Sequence, residues 1–175
     1  METLQTLEVR WFESGYIPQI VEEWFLKTCI GKLSSLQKER NDQYFYTPGC
    51  EVLNLKLRQG KLELKWRQTE LGAYSFGTKS WKGKVERWLK WSYQESIPIK
   101  LMQTLGTGDQ PIVTVNKKRS KRQYQGVDIE LAQIRLEEHK YWWTLGFEME
   151  ETRMHKVAHF EQVISQVLSN YPQRA

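Results

Sequence analysis

Charged side chains alternate with apolar ones in short stretches of this 175-residue chain. The stretch VLNLKLRQGKLELKWR places Lys56 and Arg58 before a Gln-Gly turn, and Glu63 and Lys65 after it. The same two-residue spacing recurs elsewhere, in Glu8 and Arg10, Lys117 and Arg119, Asp128 and Glu130, and Glu148 and Glu150. Side chains two residues apart share one face of a strand. Paired cations suit phosphate oxygens, and paired carboxylates suit hard divalent cations.

Two arrangements explain charged strand faces of this kind. In a half-solvated antiparallel sheet, the leucines face the core and the charges face water. Alternatively, about eight strands close into a barrel whose interior holds one small ligand. Buried unpaired charge is costly, so Lys and Arg inside a barrel require an anionic partner, and a phosphate chain meets that requirement. The recurrence of charge in strand after strand favours the barrel.

The remaining pattern predicts the elements that position these faces. Alternation predicts eight strands, at residues 3–12, 36–47, 52–58, 61–67, 82–93, 111–124, 126–136 and 141–151. Apolar residues at helical spacing predict one helix between Gly15 and Gly31 and a second from Arg153 to Tyr171. Residues 94–110 are predicted to be a loop. These elements indicate a single domain, residues 1–175, with an antiparallel α+β fold or a barrel.

Composition narrows the class of protein. Lys and Arg outnumber Asp and Glu by 26 to 21, which weakly favours an anionic partner. Eight Trp and eight Tyr favour a strand-rich fold. The chain shows neither the roughly 18 apolar residues that span a bilayer nor a secretory signal pattern at its start. We therefore expect a soluble, cytoplasmic protein with no membrane partner, in which Cys29 and Cys50 stay reduced.

The order of the charged pairs resembles that of the CYTH superfamily. These proteins, also called triphosphate tunnel metalloenzymes, include class IV adenylyl cyclases, thiamine triphosphatases and inorganic triphosphatases. The family has an opening E-x-E-x-K strand, then R-x-R, E-x-K and K-x-R strands, and a late E-x-E strand after a Gly-aromatic step. The matching segments here are residues 6–10, 56–58, 63–65, 117–119 and 146–150. Asp42, Tyr44, Phe45 and Thr47 also resemble the family's D-x-Y-F-D-T strand.

This resemblance implies a fold and a set of site residues. The fold would be a closed eight-stranded antiparallel tunnel with two or more flanking amphipathic helices. Residues implied to bind a triphosphate or polyphosphate are Arg10, Lys56, Arg58, Lys65, Lys117 and Arg119. Residues implied to hold Mg²⁺ or Mn²⁺ are Glu8, Glu63, Glu148 and Glu150. Further candidates are Arg67, Arg122, Asp128 and Glu130. Metal-bound water would be the nucleophile if a phosphoanhydride bond is hydrolysed.

The chain departs from the family pattern at three positions. Thr6 replaces the first Glu of the opening motif, Arg10 replaces its Lys, and Lys56 stands where Arg is common. A divalent cation usually depends on one or two carboxylates, so losing a Glu weakens a metal site. Binding of the phosphate chain is therefore the primary expectation, and a metal-dependent triphosphatase activity is the secondary one. The sequence leaves open which triphosphate is bound.

Two other classes of function fit parts of the sequence. The run KKRSKRQY, residues 117–124, suits a non-catalytic protein that binds nucleic acid or another polyanion through an exposed basic sheet face. Such a patch would bind long phosphate backbones with steep salt dependence, whereas a tunnel selects short chains. A non-enzymatic interaction protein would expose tryptophans as anchors, here Trp81, Trp88, Trp91, Trp142 and Trp143. Nucleic acid is the less favoured partner.

Overall fold

The computed structural model describes residues 2–77, 81–93, 112–152 and 156–172. The eight strands are β1 (Glu2–Ser14), β2 (Lys32–Phe45), β3 (Leu53–Arg58), β4 (Lys61–Phe76), β5 (Trp81–Ser92), β6 (Ile112–Tyr124), β7 (Val127–Arg135) and β8 (Tyr141–Glu150). Helix α1 (Gln19–Glu23) continues as a π-helical turn, Trp24–Thr28, and α2 spans Val157–Leu168. A 3-10 turn, Glu137–His139, joins β7 to β8. The loop predicted at residues 94–110 lies outside the described residues.

The strands form one closed antiparallel barrel in the order β1-β5-β4-β3-β2-β6-β7-β8. Closure is made by β8 against β1, with Glu8 opposite Glu148 and Arg10 opposite Gly146. The predicted α+β fold with a closed eight-stranded antiparallel barrel and two flanking helices is therefore confirmed. Among the described residues, no helix has the length and apolar character needed to cross a bilayer.

The hydrophobic core lies outside the barrel wall, under the helices. In β1, Leu7 and Val9 are buried, and they join a cluster with Phe147 of β8 and with Phe160 and Ile164 of α2. Because side chains alternate along a strand, the residues between these apolar ones point to the opposite face, toward the interior of the barrel. The charged faces therefore line the interior of the barrel, which we call the tunnel. The apolar stripe predicted for the last helix is the face that packs on the barrel.

Two strands extend further than predicted because bulges interrupt their alternation. Strand β4 continues past Arg67 to Phe76, with register shifts between Arg67 and Thr69 and between Glu70 and Gly72. Strand β2 begins at Lys32, ahead of an irregularity at Gln37, whose φ of 43° is in the left-handed region. A bulge adds one unpaired residue and so reverses the face that follows. A prediction that relies on strict alternation therefore ends each strand at its bulge.

Arg122 fixes the end of the first helical segment to the barrel. Its Nε donates to the carbonyl of Phe25 at 2.6 Å, Nη1 to that of Gly31 at 2.6 Å, and Nη2 to that of Leu26 at 2.7 Å. The side chain is buried on the outer face of β6 and does not line the tunnel, contrary to its prediction as a site candidate. The register of β6 places Lys121 inward and therefore Arg122 outward.

Replacing Arg122 with Met is expected to destabilise the fold. The variant loses three charge-assisted hydrogen bonds and leaves buried carbonyls without donors, so the free energy of unfolding should fall by at least about 3 kcal/mol. Urea denaturation followed by tryptophan fluorescence measures this change. Lys118→Met is the control, since Lys118 is exposed on the same strand and should stay within about 0.5 kcal/mol of wild type. Equal midpoints for the two variants would contradict the anchoring role.

Candidate functional site

Ion pairs between strands that are not neighbours identify the tunnel face of the barrel. Lys65 of β4 contacts Glu8 of β1 across β5. Arg10 of β1 lies 3.0 Å from Glu130 of β7, across β8. Side chains two strands apart meet only on the concave side of a curved sheet. All ten predicted site residues share this face by strand register, and all of them except Glu150 belong to one of two charge clusters.

The first cluster, which we call the basic cluster, contains twice as many cations as carboxylates. Its cations are Arg10, Arg40, Lys56, Arg58, Lys117 and Arg119, and its carboxylates are Asp42, Glu63 and Glu130. Six positive and three negative charges leave an excess of three positive charges. Such an excess in a confined interior is unfavourable without an anion.

Asp42 is the buried centre of the basic cluster. Its side chain is 0% exposed, with Oδ1 3.3 Å from Arg58 Nε and Oδ2 3.1 Å from Arg40 Nε. Arg58 Nη1 also lies 2.9 Å from Glu63 Oε1, and Lys56 Nζ lies 3.2 Å from Glu63 Oε2. One carboxylate thus orients two guanidinium groups from different strands, β2 and β3.

Buried donors of the basic cluster are left without hydrogen bonds. Arg119 pairs through Nη1 with Glu130 Oε2 at 3.2 Å, but its buried Nε has no acceptor. The Nε of Arg40 also makes no hydrogen bond, because its orientation toward Asp42 is unsuitable despite the short distance. Buried polar atoms in native proteins are normally paired. Asp42 Oδ2, which lies 3.1 Å from Arg40 Nε, is also without a hydrogen bond, so the basic cluster leaves two donors and one acceptor unsatisfied.

Lys117 is a cation of this cluster without a carboxylate partner. Its Nζ lies 2.8 Å from the hydroxyl oxygen of Tyr44, and within the described part of the chain no carboxylate oxygen lies within 4.0 Å of it. Burial, together with the nearby Arg10, lowers the pKa of Lys117 to about 8. Burial also lowers the pKa of Lys56 to about 8. The charge of Lys117 is therefore poorly compensated by the protein itself, whereas Lys56 has Glu63 as its partner.

Gly146 gives Arg10 the room to reach across β8. A Cβ at position 146 would lie 2.6 Å from Cζ of Arg10, closer than real Cβ atoms approach a neighbour. Without that carbon, the guanidinium lies over β8, donates from Nη1 to Thr144 at 2.9 Å and reaches Glu130 in β7. Burial alone would raise the pKa of Glu130, but Arg10, Lys121 and Arg119 outweigh it and hold that pKa below its ordinary value.

The second cluster, which we call the Glu-Lys cluster, contains Glu8, Glu148, Lys65 and Lys90. Lys65 contacts Glu8, and Lys90 contacts Glu148 and lies 3.8 Å from Oε1 of Glu8. The hydroxyl of Thr6 donates to Glu8 Oε1 at 3.0 Å. Burial would raise the pKa of Glu148, but the charges of Lys90 and Lys65 lower it. This cluster, unlike the first, is balanced in charge.

The four predicted metal ligands are not brought together. Glu8 and Glu148 are adjacent, whereas Glu63 belongs to the basic cluster and Glu150 is exposed opposite Thr6 at the end of β8. Across the described ranges, no three His, Cys, Asp or Glu side chains form a group that could hold a metal ion. Each carboxylate that remains inside already pairs with Lys or Arg. This donor set does not fit Mg²⁺ or Mn²⁺, which take carboxylate oxygens free of competing cations.

Several interior residues were not among the predicted site residues. These are Arg40, Asp42, Tyr44, Glu86, Trp88, Lys90, Lys121 and Thr144. The alternation of Arg40, Asp42 and Tyr44, and that of Glu86, Trp88 and Lys90, carried the signal that would have identified six of them. Of the further candidates, Glu130 belongs to the basic cluster, Arg67 pairs with Glu86 at 2.6 Å, and Asp128 lies 4.0 Å from Lys121.

The basic run of β6 does not form an exposed basic face. Lys117, Arg119 and Lys121 face the tunnel, Lys118 is exposed, and Arg122 is buried beneath the first helical segment. The alternation of strand side chains separates residues that are adjacent in sequence. Of the predicted tryptophan anchors, Trp143 is buried and Trp142 is exposed, while Trp81, Trp88 and Trp91 are half-buried. Trp88 lies beside Lys65, with 4.9 Å between Nζ and the ring centroid.

A cavity of about 210 Å³ adjoins the basic cluster. Its lining includes Tyr44, Phe45, Tyr46, Cys50 and Trp88. Tyr44 belongs to both places, since its hydroxyl contacts Lys117 while its ring lines the cavity. The cavity therefore places four aromatic side chains, those of Tyr44, Phe45, Tyr46 and Trp88, in a wall beside the cations.

Comparisons with known proteins support the fold. No protein-family model matches the sequence, and no curated protein matches it. A conserved hypothetical protein from Pyrococcus furiosus has a similar structure, with a TM-score of 0.50, 16% identity, and coverage of 93% of this chain and 90% of that one. A "putative adenylate cyclase" from Bacillus halodurans gives a TM-score of 0.45 at 11% identity, covering 97% and 95% of the two chains. At 16% identity, the similarity to the Pyrococcus furiosus protein concerns the fold alone.

Proposed function

We propose that this protein binds a triphosphate or another short polyphosphate chain inside its barrel. The observation that carries the proposal is the basic cluster, in which six cations face the tunnel against three carboxylates. A polyanion placed among them would neutralise the excess charge and relieve the repulsion between Lys117, Arg10 and Arg40. The order of motifs that resembles the CYTH superfamily supports the same conclusion.

Phosphate oxygens match the donors that the cluster leaves unused. The guanidinium groups of Arg40 and Arg119 each have a buried Nε–H that makes no hydrogen bond, although that of Arg40 lies in an ion pair with Asp42. Guanidinium forks bind phosphate oxygens bidentately, and an ammonium group such as that of Lys117 supplies a point charge. A carboxylate ligand would offer two oxygens, whereas a phosphate chain offers several along its length. The number and spread of the cations therefore favour a chain of phosphates.

The barrel favours a short chain over nucleic acid. An eight-stranded barrel has an interior that accommodates side chains and one small ligand. The cations of β6 that face the tunnel are enclosed by neighbouring strands, so a long phosphate backbone could not contact all of them at once. We propose binding and assign no hydrolytic step, because the interior carboxylates that a metal would require are already paired with cations.

Calorimetric titration with tripolyphosphate tests the proposal. We expect saturable one-to-one binding by tripolyphosphate, much weaker binding by orthophosphate, and no competition from a single-stranded DNA oligonucleotide. Phosphate release should be followed in the same samples, so that binding and turnover are separated. Equal affinity for orthophosphate, or displacement of tripolyphosphate by the oligonucleotide, would contradict a tunnel that selects short chains.

Affinity for tripolyphosphate is expected to fall as the pH rises above about 8, where ligand-free Lys117 loses its proton. A bound anion raises the pKa of an adjacent ammonium, so binding above that pH must take up a proton. The affinity should then fall by up to about tenfold per pH unit. Titrations in buffers of different ionisation enthalpy measure the proton uptake directly. Because the pKa of Lys56 is also about 8, Lys117→Met should lose only part of the proton uptake. An uptake that is unchanged in this variant would assign the effect to another group.

A further inference from the structure

The Glu-Lys cluster has the charge balance of an occupied metal site. Glu8 and Glu148 lie side by side on β1 and β8. Two carboxylates this close repel each other unless cations neutralise them. Lys65 enters from β4 and Lys90 from β5, and their ammonium groups contact the two carboxylates. The two ammonium groups thus neutralise the two carboxylates. Together they supply the same positive charge as one divalent cation.

Three of the four carboxylate oxygens of this pair are already engaged by the protein. Glu8 Oε1 accepts from Thr6, Glu8 Oε2 contacts Lys65, and Glu148 Oε1 contacts Lys90. Lys65 is held in place further by the ring of Trp88, 4.9 Å from its Nζ. A metal ion would have to displace both ammonium groups and would then leave them beside a divalent cation. The resulting charge in a largely enclosed site makes this exchange unfavourable.

We propose that Lys65 and Lys90 take the place of a divalent cation, so that the tunnel binds its phosphate chain without metal. The inference rests on the proposed function, and it differs from the Mg²⁺ or Mn²⁺ dependence that the CYTH resemblance implies. The two lysines neutralise Glu8 and Glu148, and the excess charge of the basic cluster remains available to the ligand. Through its contact with Glu148, Lys90 prevents that carboxylate from binding a metal ion.

The inference predicts that removing the lysines creates a metal site. In Lys65→Met/Lys90→Met, two adjacent carboxylates lose their counter-ions, and oxygen ligands of this kind bind Mn²⁺. Manganese binding, followed by the loss of the electron paramagnetic resonance signal of free Mn²⁺, should be absent in wild type and present in the double variant. Mn²⁺ should also raise the melting temperature of the double variant and leave that of wild type unchanged. Lys84→Met is the control, because Lys84 lies on the same strand as Lys90 but is 67% exposed.

Ligand titrations separate this inference from the proposed function. Wild type should bind tripolyphosphate in EDTA, and millimolar Mn²⁺, which complexes the phosphate chain in solution, should not tighten that binding. Lys90→Met, a milder change that keeps Lys65, should bind tripolyphosphate at least about tenfold more tightly with Mn²⁺ than with EDTA, since the metal replaces the lost ammonium.

Three results would overturn the inference. Tripolyphosphate binding by wild type that requires Mn²⁺ would refute metal independence while leaving phosphate binding intact. Saturable binding of Mn²⁺ alone by wild type would refute it whatever the phosphate result. Variants that fold and bind no Mn²⁺ would show that the lysines do not occupy a metal position. Absence of tripolyphosphate binding in every condition would instead refute the proposed function.

Discussion

Lys117→Met is expected to make the protein more stable and a weaker binder of tripolyphosphate. Wild type holds the Lys117 ammonium next to Arg10 and Arg40, with a hydrogen bond to Tyr44 as partial compensation. Because the folded pKa lies near 8 instead of 10.5, burying the charge costs up to about 3 kcal/mol. Removing the charge should increase stability by that amount, but the variant also loses the hydrogen bond to Tyr44, which lowers the increase by about 1 kcal/mol. The expected net stabilisation is about 1–2 kcal/mol.

The loss of affinity follows from the same charge. The ammonium group contributes a charge-assisted contact to a phosphate oxygen, so affinity should fall by about tenfold to a hundredfold. Urea denaturation and calorimetry on the same preparation measure both effects, with Lys118→Met as the exposed control on β6. A structural lysine would behave in the opposite way, with lower stability and unchanged affinity. That result would remove Lys117 from the site.

The pH dependence of stability offers an independent check on Lys117. The folded pKa is lowered, so between about pH 8 and 10.5 the unfolded state holds more protons than the folded state. The contribution of Lys117 to stability therefore rises with pH through this window. The difference in unfolding free energy between Lys117→Met and wild type should shrink over the same range.

Asp42→Asn is expected to be strongly destabilising without ligand. Asp42 is fully buried and lies against both Arg40 and Arg58. Removing one partner of a buried pair leaves uncompensated charge, so the free energy of unfolding should fall by about 3–5 kcal/mol. Asp128→Asn is the control, because Asp128 is 43% exposed and 4.0 Å from Lys121, which predicts a change of less than about 1 kcal/mol.

Ligand should partly rescue the Asp42 variant. The substitution raises the excess positive charge of the basic cluster from three to four, and a bound polyphosphate neutralises that excess. The increase in melting temperature caused by saturating tripolyphosphate should therefore be larger for Asp42→Asn than for wild type. A smaller increase would mean that Asp42 serves chiefly to orient Arg40 and Arg58 for the ligand.

The sequence by itself determined the number of strands, the two helices and the charged faces. A period of two marks a strand and a period of 3.6 marks a helix, and both are local properties of a few residues. Lys117 and Arg119 could be assigned to one face because they are two residues apart in one strand. The resemblance in motif order added barrel closure, which the structure confirms.

Tertiary structure decided which charges meet. In the barrel, β1 lies between β5 and β8, and β2 lies between β3 and β6, an order that no local pattern specifies. This order brings Lys65 and Lys90 to Glu8 and Glu148, and it keeps Glu63 with Lys56 and Arg58. Because strand order is not visible in the sequence, the four predicted glutamates appeared equivalent as metal ligands. The fold separates them, because ion pairing inside a closed barrel depends on strand order and register, which are set by contacts distant in sequence.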